Sequence, residues 1–82
     1  MNHHTLDVRH QLCPIPVIRT QNMINKLPSG AILEVLCTDP GTLHDIPAWC
    51  RIHGHRLLDS QQGKEEIRIV LEVCRQERSA PE

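Results

Sequence analysis

Aromatic side chains and long apolar runs are almost missing from this chain of 82 residues. It has one Trp and no Phe or Tyr, so the core must be built from Leu, Ile and Val, with help from Cys and Met. No segment approaches the ~20 apolar residues of a membrane-spanning helix. The N-terminus lacks the basic and apolar stretches of a secretory signal. We therefore expect a cytoplasmic protein that makes no contact with membranes.

Clustered positive charge is lacking as well. Nine basic and ten acidic residues give a formal net charge of −1, and the Arg residues are scattered along the chain. Tight, non-specific binding of nucleic acid requires clustered Lys and Arg, so direct contact with nucleic acid is not expected. A hydrophobic content of 39% with 23% charged residues is typical of a folded domain.

Cysteines at the short spacings of redox and zinc motifs are absent. The four cysteines stand at positions 13, 37, 50 and 74. No C-x-x-C occurs, which excludes a dithiol cycle of the thioredoxin kind. The nearest candidate for zinc is Cys50 with His53 and His55, but no second ligand pair completes it. Neither a metal nor a cofactor is predicted, and a metal-binding domain is kept only as a rival hypothesis.

Alternation and helical periodicity predict the order β-α-β-α-β-β. The predicted elements are, in chain order, a strand over 5–9, a helix from 14 to 26 or 27, a strand over 31–38, a helix that ends before Gly54, a strand over 55–60 and a strand over 67–74, with a turn over 61–65. Two helices on one face of a four-stranded mixed sheet make an α/β (α+β) two-layer sandwich. We expect a single domain over residues 1–82, with its core at about 5–74 and a frayed C-terminal tail.

The second helix contains a proline that restricts where it can begin. Pro47 is unfavourable in a helix interior, so the regular helix is expected to begin at Asp45 or Ile46, after an irregular first turn. Its inner face is predicted to hold Leu43, Ile46, Trp49, Cys50 and His53. Cys37 and Cys50 are interpreted as core residues. Cys74, at the end of the last strand, is the main rival of Cys13 as a reactive thiol.

The most informative stretch is "HQLCPIPVIRT", residues 10–20. Cys13 is predicted to be the N-cap of the first helix, with Pro14 as its first residue. There the helix dipole and the Ile15 amide would stabilise a thiolate, while Pro14 and Pro16 hold the sulfur outward. The plainer alternative is a small buried residue, since cysteine often behaves as one. His10 could lie near the thiol, but no third residue of a catalytic triad can be named.

With these residues in view, "DVRHQLCPIPV" resembles the signature of the TusA/SirA-like sulfur-carrier family, which reads D-x-R-G-x-x-C-P-x-P. The similarity continues through "SGAILEVLCTDPGTLHDIPAWC" and "GHRLL", over about residues 6 to 73. The resemblance implies a β-α-β-α-β-β sandwich and a persulfide carried transiently on Cys13. It implies that Asp7, Arg9, Pro14 and Pro16 shape the loop and assist docking. A sulfurtransferase-type carrier of this kind acts only with partner proteins.

The implied partners are a cysteine desulfurase or rhodanese-like donor and an acceptor protein of a sulfur relay. Family pathways include tRNA thiolation, molybdenum cofactor assembly and sulfur oxidation, and a monomer is expected. Two residues depart from the family pattern: His10 replaces the motif glycine, and Ile15 stands where relatives often have an acidic residue or Met. Both are expected to influence partner choice. The alternative is a non-catalytic binding or regulatory module of the same fold.

Overall fold

The computed structural model describes residues 3–12 and 14–74; Cys13 and the predicted C-terminal tail lie outside these ranges. Within them the chain forms four strands and two helices in the predicted order. The elements are β1 (His3–Val8), α1 (Ile15–Ile24), β2 (Ile32–Cys37), α2 (Thr42–His53), β3 (Arg56–Gln62) and β4 (Ile67–Glu72). The predicted α+β architecture is confirmed.

The strands form one mixed sheet in the order β1-β2-β4-β3. β1 and β2 are parallel, because α1 carries the chain back to the start of the sheet between them. β4 runs antiparallel to both β2 and β3. β3 pairs with β4 as far as Gln62, so the prediction that the turn begins at residue 61 is wrong. Polar composition suggested a turn there, but backbone pairing with Arg68 and Ile67 holds both glutamines in the strand.

The core lies between the sheet and the helices. Alternate residues of β1, β2 and β4 face it, as period-2 patterning predicted, whereas every residue of β3 is exposed. The fully or nearly fully buried strand residues are Leu6, Val8, Leu33, Val35, Cys37, Ile67, Ile69 and Leu71. α1 contacts β1 and β2, and α2 contacts β3 and β4, so each helix covers one half of the sheet. The opposite face of the sheet carries no helix in the described residues.

The helix α1 buries Pro16, Thr20 and Ile24, with Val17 and Met23 packed beside the core. Each of these residues has a neighbour in the set three or four residues away, which is the single buried face that helical periodicity predicts for α1, although the α-helix ends slightly earlier than the predicted residue 26 or 27. After Ile24 the chain continues in a tight turn, in which the amide of Leu27 donates to the carbonyl of Ile24 at 3.0 Å.

The helix α2 begins earlier than Pro47 led us to expect. The Asp39 carboxylate accepts the Gly41 amide at 3.0 Å, and the amides of Thr42 and Leu43 donate three residues back. This tight turn starts the helix at Thr42, and bonding four residues back begins with the Asp45 amide. The predicted start at Asp45 or Ile46 is wrong for the helix as a whole, because the first-turn bonds are made before Pro47 removes a donor.

The end of α2 agrees with its prediction. Gly54 adopts a left-handed conformation with φ of 82°. The amide of His55 donates to the Cys50 carbonyl at 2.8 Å, which satisfies one of the last free carbonyls of the helix.

Candidate functional site

The loop between β1 and α1 carries the motif, and its first residues form an ion network. Arg9 makes a forked contact with Asp7: its Nε donates to Oδ1 at 2.9 Å and its Nη2 to Oδ2 at 2.8 Å. Its Nη1 reaches Glu66, in the turn between β3 and β4, at 3.1 Å. The hydrogen bonds from Arg9 hold the pKa of the Asp7 carboxyl far below its usual range. Arg9 thus joins the motif loop to the turn that precedes β4, two strands away in the sheet.

The next residue, His10, has a left-handed backbone with φ of 67°. The amide of Gln11 donates to the carbonyl of Val8 at 3.3 Å, which places His10 third in a four-residue turn. Turns with a positive φ at the third position normally use glycine, because side chains rarely adopt that conformation. The backbone amide of His10 donates to Oγ1 of Thr38 at 2.9 Å. The His10 backbone thus takes the conformation that a glycine would adopt most easily.

The start of α1 differs from the prediction. The cap position is Pro14, with φ of −96° and ψ of 12°, and the first helical residue is Ile15. The amide of Ile15 donates to the Leu12 carbonyl at 3.0 Å, so it is already occupied by the loop and not held for Cys13. With Pro14 as the cap, the helix begins one residue later than predicted. Pro16 is buried, so it anchors the helix to the core.

Cys13 itself lies outside the described residues, but its neighbours in the chain are described. Leu12 is 74% exposed and Ile15 is 47% exposed. Pro14 between them is exposed as well. The motif segment therefore presents apolar side chains to solvent on both sides of the predicted thiol.

The other three cysteines have different surroundings. Cys37 is fully buried, and its sulfur lies 3.1 Å from Oγ1 of Thr42. Burial raises the pKa of the Cys37 thiol, and it raises the pKa of Cys50 to about 11. Both predicted core cysteines are confirmed, and burial disfavours the thiolate form of each.

Cys74, the predicted rival, is half-buried beyond the end of β4. Its thiol donates to the Glu72 carbonyl at 3.6 Å. β4 starts at Ile67, which is paired with Cys37 at the end of the sheet where β1 and β2 finish. Seven residues of extended chain separate Cys74 from that end, or about 20 Å. Cys74 is therefore remote from the motif loop.

The histidines near the end of α2 contact an aromatic ring. The Trp49 ring lies 4.5 Å from the His53 ring and 5.3 Å from the His55 ring, between centroids. Nδ1 of His55 accepts the backbone amide of Cys74 at 3.1 Å. His53 is exposed, so its assignment to the inner face is wrong: the residue lies in the last turn, beyond the edge of the packed core. Within residues 3–12 and 14–74, no group of His, Cys, Asp and Glu is arranged to hold a metal.

The described residues thus combine a four-stranded mixed sheet and two helices with a motif loop in which Leu12 and Pro14 are exposed. The family model described as sulfurtransferase TusA matches residues 4–73. The chain belongs to the TusA family, which supports a role as a sulfur carrier. No helix of the described residues is long and apolar enough to cross a membrane.

Relatives with sulfur-carrier names share much of the sequence. A putative sulfur carrier protein of Bacillus subtilis, YrkI, is 46% identical over 54 residues, which are 66% of this chain and 72% of the relative. A putative sulfur carrier protein of Neisseria meningitidis is 38% identical over 72 residues, which are 88% of this chain and 97% of the relative. The sulfur carrier protein TusA of Pseudomonas fluorescens is 43% identical over 58 residues, which are 71% of this chain and 70% of the relative.

The fold is also found in a solved structure. The crystal structure of the SirA-like protein from Desulfitobacterium hafniense has a TM-score of 0.77 at 22% sequence identity, covering 88% of this chain and 99% of the other. At that level of identity the similarity establishes the fold, and it confirms the predicted two-layer arrangement.

Proposed function

We propose that the chain carries sulfur as a persulfide on Cys13, which it receives from a cysteine desulfurase or rhodanese-like donor and passes to an acceptor thiol on another protein. The observation that supports this assignment is the distribution of the cysteines. Cys37 and Cys50 are enclosed and protonated, and Cys74 lies at the other end of the sheet. Cys13 stands between exposed neighbours in the segment that matches the family motif.

The transfer is a thiol exchange without net oxidation. The Cys13 thiolate attacks the outer sulfur of the donor persulfide, a new S–S bond forms at Cys13, and the donor's S–S bond breaks. The donor cysteine leaves as a thiolate, and the proton of the transferred sulfur remains on it. Passing the sulfur to the acceptor repeats the same exchange. Its rate depends on the fraction of thiolate, on the leaving group and on access, so a small carrier needs no enclosed pocket.

The surrounding residues position this loop. Asp7 and Arg9 anchor its first part, His10 forms its turn, and Pro16 fixes the start of α1. Pro14 and Ile15 are exposed where a partner's active site would close over the sulfur. Chemistry that depends on a free thiol fits a reducing compartment, so the cytoplasm remains our proposal for its location.

The proposal is tested by incubating the protein with a purified cysteine desulfurase and L-cysteine, then recording its intact mass. The wild-type chain should gain a sulfur atom that dithiothreitol removes, and Cys13→Ser should gain none. Cys74→Ser is the matched control and should be loaded like the wild type. Equal loading of Cys13→Ser would contradict the proposal. If the wild-type chain gains no sulfur, and Cys13→Ser recruits the same partners as the wild type in a pull-down and in cells, the chain acts as a non-catalytic binding module instead.

A further inference from the structure

The exposed face of α1 carries apolar residues near Cys13 and basic residues further along. One side of the helix and of the turn that follows it holds Ile15, Ile18, Arg19, Asn22 and Lys26, because each of them has a neighbour in this set three or four residues away. Ile18 is 49% exposed, and Arg19, Asn22 and Lys26 are also exposed. Leu12, one turn earlier, extends the apolar part. We call these six residues the α1 face.

The charge of the α1 face has one sign. No Asp or Glu occurs from residue 8 to residue 33, although the whole chain has ten acidic residues. Arg9 is neutralised by Asp7 and Glu66. Arg19 donates only to the neutral amide of Gln11, at 3.2 Å, and neither Arg19 nor Lys26 forms an ion pair with any other described residue. Two uncompensated cations therefore lie beside a row of exposed apolar side chains.

A shallow groove of about 260 Å³ follows the basic end of this face. It is lined by Arg19, Asn22, Met23 and Lys26 of the helical segment and by Leu6 of β1. The groove has an apolar floor and cationic walls, which is the shape and charge that an acidic side chain or an acidic loop of a protein would fit.

We propose that the α1 face docks the sulfur donor, and that the donor meets it with an acidic surface and an apolar pocket for Leu12, Ile15 and Ile18. This inference rests on the proposed function, because it assigns the surface through which the donor reaches Cys13. A second copy of the chain is a poor occupant, since it would bring Arg19 and Lys26 against like charges. Nucleic acid is a poor occupant because two cations neutralise too few phosphates.

The size of the α1 face agrees with a carrier that must leave its partner. A helix of 10 residues is about 15 Å long and about 10 Å wide. That area is well below the roughly 800 Å² per partner of a stable protein interface. Charge complementarity of this kind raises the rate of encounter more than the lifetime of the complex. The face is thus suited to fast docking and fast release.

The test compares loading by a protein donor with loading by a small molecule. A purified cysteine desulfurase with L-cysteine is the protein donor, and inorganic polysulfide is the small one. The charge variant is the double substitution Arg19→Glu and Lys26→Glu, with Arg51→Glu on α2 as its control. The apolar variant is Ile18→Ser, and its control is Ile52→Ser, since Ile52 is 78% exposed on α2. Circular dichroism melts verify that all variants are folded.

We expect the charge variant to slow loading by the desulfurase at least about tenfold at low salt, as lost steering would do. Ile18→Ser should also slow it, while both control variants stay within about twofold of the wild type. Loading by polysulfide, measured at high salt where the charge of this small anion is screened, should be the same in every variant. Raising the salt concentration should slow the wild type but not the charge variant, because only the wild type has the attraction to lose.

Several results would overturn the inference. If the desulfurase loaded the charge variant and Arg51→Glu equally fast, the α1 face would not be the docking surface, while Cys13 would remain the carrier thiol. Faster loading of the charge variant would show that the docking surface of the donor is basic and not acidic. Slower reaction of the charge variant with polysulfide would show that the substitutions impair the Cys13 thiol itself and not the docking of the donor. A wild-type chain that polysulfide loads but the desulfurase does not would contradict the donor as the occupant, whereas a chain that neither reagent loads would contradict the proposed function itself.

Discussion

At the scale of single residues, His10 has the left-handed backbone conformation that glycine normally adopts at this position of a turn. Its φ of 67° lies in the region where a Cβ atom costs about 1 kcal/mol or more. The turn is nevertheless retained, because the Val8 carbonyl and the Thr38 hydroxyl accept the amides of Gln11 and His10. The histidine therefore changes the side chain presented by the motif loop and leaves the course of its backbone intact.

This reading predicts the effect of restoring glycine. His10→Gly should raise the free energy of unfolding by about 0.5 kcal/mol, because the relief of strain exceeds the added freedom of the unfolded chain. Urea unfolding measures the change. The control is Leu12→Gly, in the same loop but with an ordinary negative φ and an exposed side chain, which should lower the free energy of unfolding. A loss of stability in His10→Gly equal to that of the control would contradict the assignment of strain.

At the scale of elements, the ion network of Arg9 connects parts that are far apart in the chain. It links the end of the edge strand β1 to the turn that precedes β4, two strands away in the sheet. Because these side chains are exposed, the network contributes little to global stability, as surface ion pairs generally do. Its effect is local: it fixes the direction in which the chain leaves β1 towards the motif loop.

The network makes a prediction about the Asp7 carboxyl. Since hydrogen bonds from Arg9 lower its pKa, Asp7 should stay ionised well below its ordinary value of about 3.9 in a titration followed by carboxyl carbon NMR. Any stability that Asp7 provides is present above its unfolded pKa and is lost only as the pH falls through the lowered value. Arg9→Gln should return the titration to about 3.9.

Arg68→Gln is the matched control for this titration. Arg68 lies on β4 and is paired with Glu34 instead of Asp7. Its substitution should leave the Asp7 titration at the low value. An Asp7 carboxyl that titrates normally in the wild-type protein would show that the contacts with Arg9 do not persist in solution.

At the scale of the whole molecule, the thiols are sorted by position in the fold. The core encloses Cys37 and Cys50, and the sheet places Cys74 at the end away from the motif loop. Among the described thiols, burial shields Cys37 and Cys50, and distance from the motif loop shields Cys74, from forming a disulfide with a loaded sulfur. This separation favours transfer of the sulfur to another protein over its release inside the chain.

The buried thiols predict a loss of stability at alkaline pH. The pKa of Cys50 is raised to about 11 in the folded protein from 9.0, so its contribution is complete below pH 9 and is lost as the pH rises towards 11. The free energy of unfolding should fall by about 2 kcal/mol over this interval, measured by urea unfolding. Cys50→Ala should show a shallower decline, whereas the control Cys74→Ala should decline like the wild type. If the free energy of unfolding of Cys50→Ala fell as steeply as that of the wild type, the Cys50 thiol would not be the cause of the loss.

Much of the fold could be predicted from local pattern. Alternation identified β1 and β4, helical spacing identified the buried stripe of α1, and Gly54 marked the end of α2. Boundaries were less predictable where tertiary bonds decide them. The glutamines of β3 have the composition of a turn, but pairing with β4 holds them in the strand. Pro47 disfavours a helix interior, but the Asp39 carboxylate accepts the Gly41 amide and the first turn forms before Pro47.

The sequence by itself determined the element order, the buried faces and the motif that marks Cys13, because these depend on residue periodicity and on local backbone preference. The tertiary structure alone decided which groups meet across the chain. Glu66 joins Arg9, Thr38 accepts the amide of His10, Leu12 occupies the amide of Ile15, and Cys74 lies at the far end of the sheet. The contacts of Arg9 and His10 arise from strand pairing between distant segments, and no local pattern in the sequence records the order or register of that pairing.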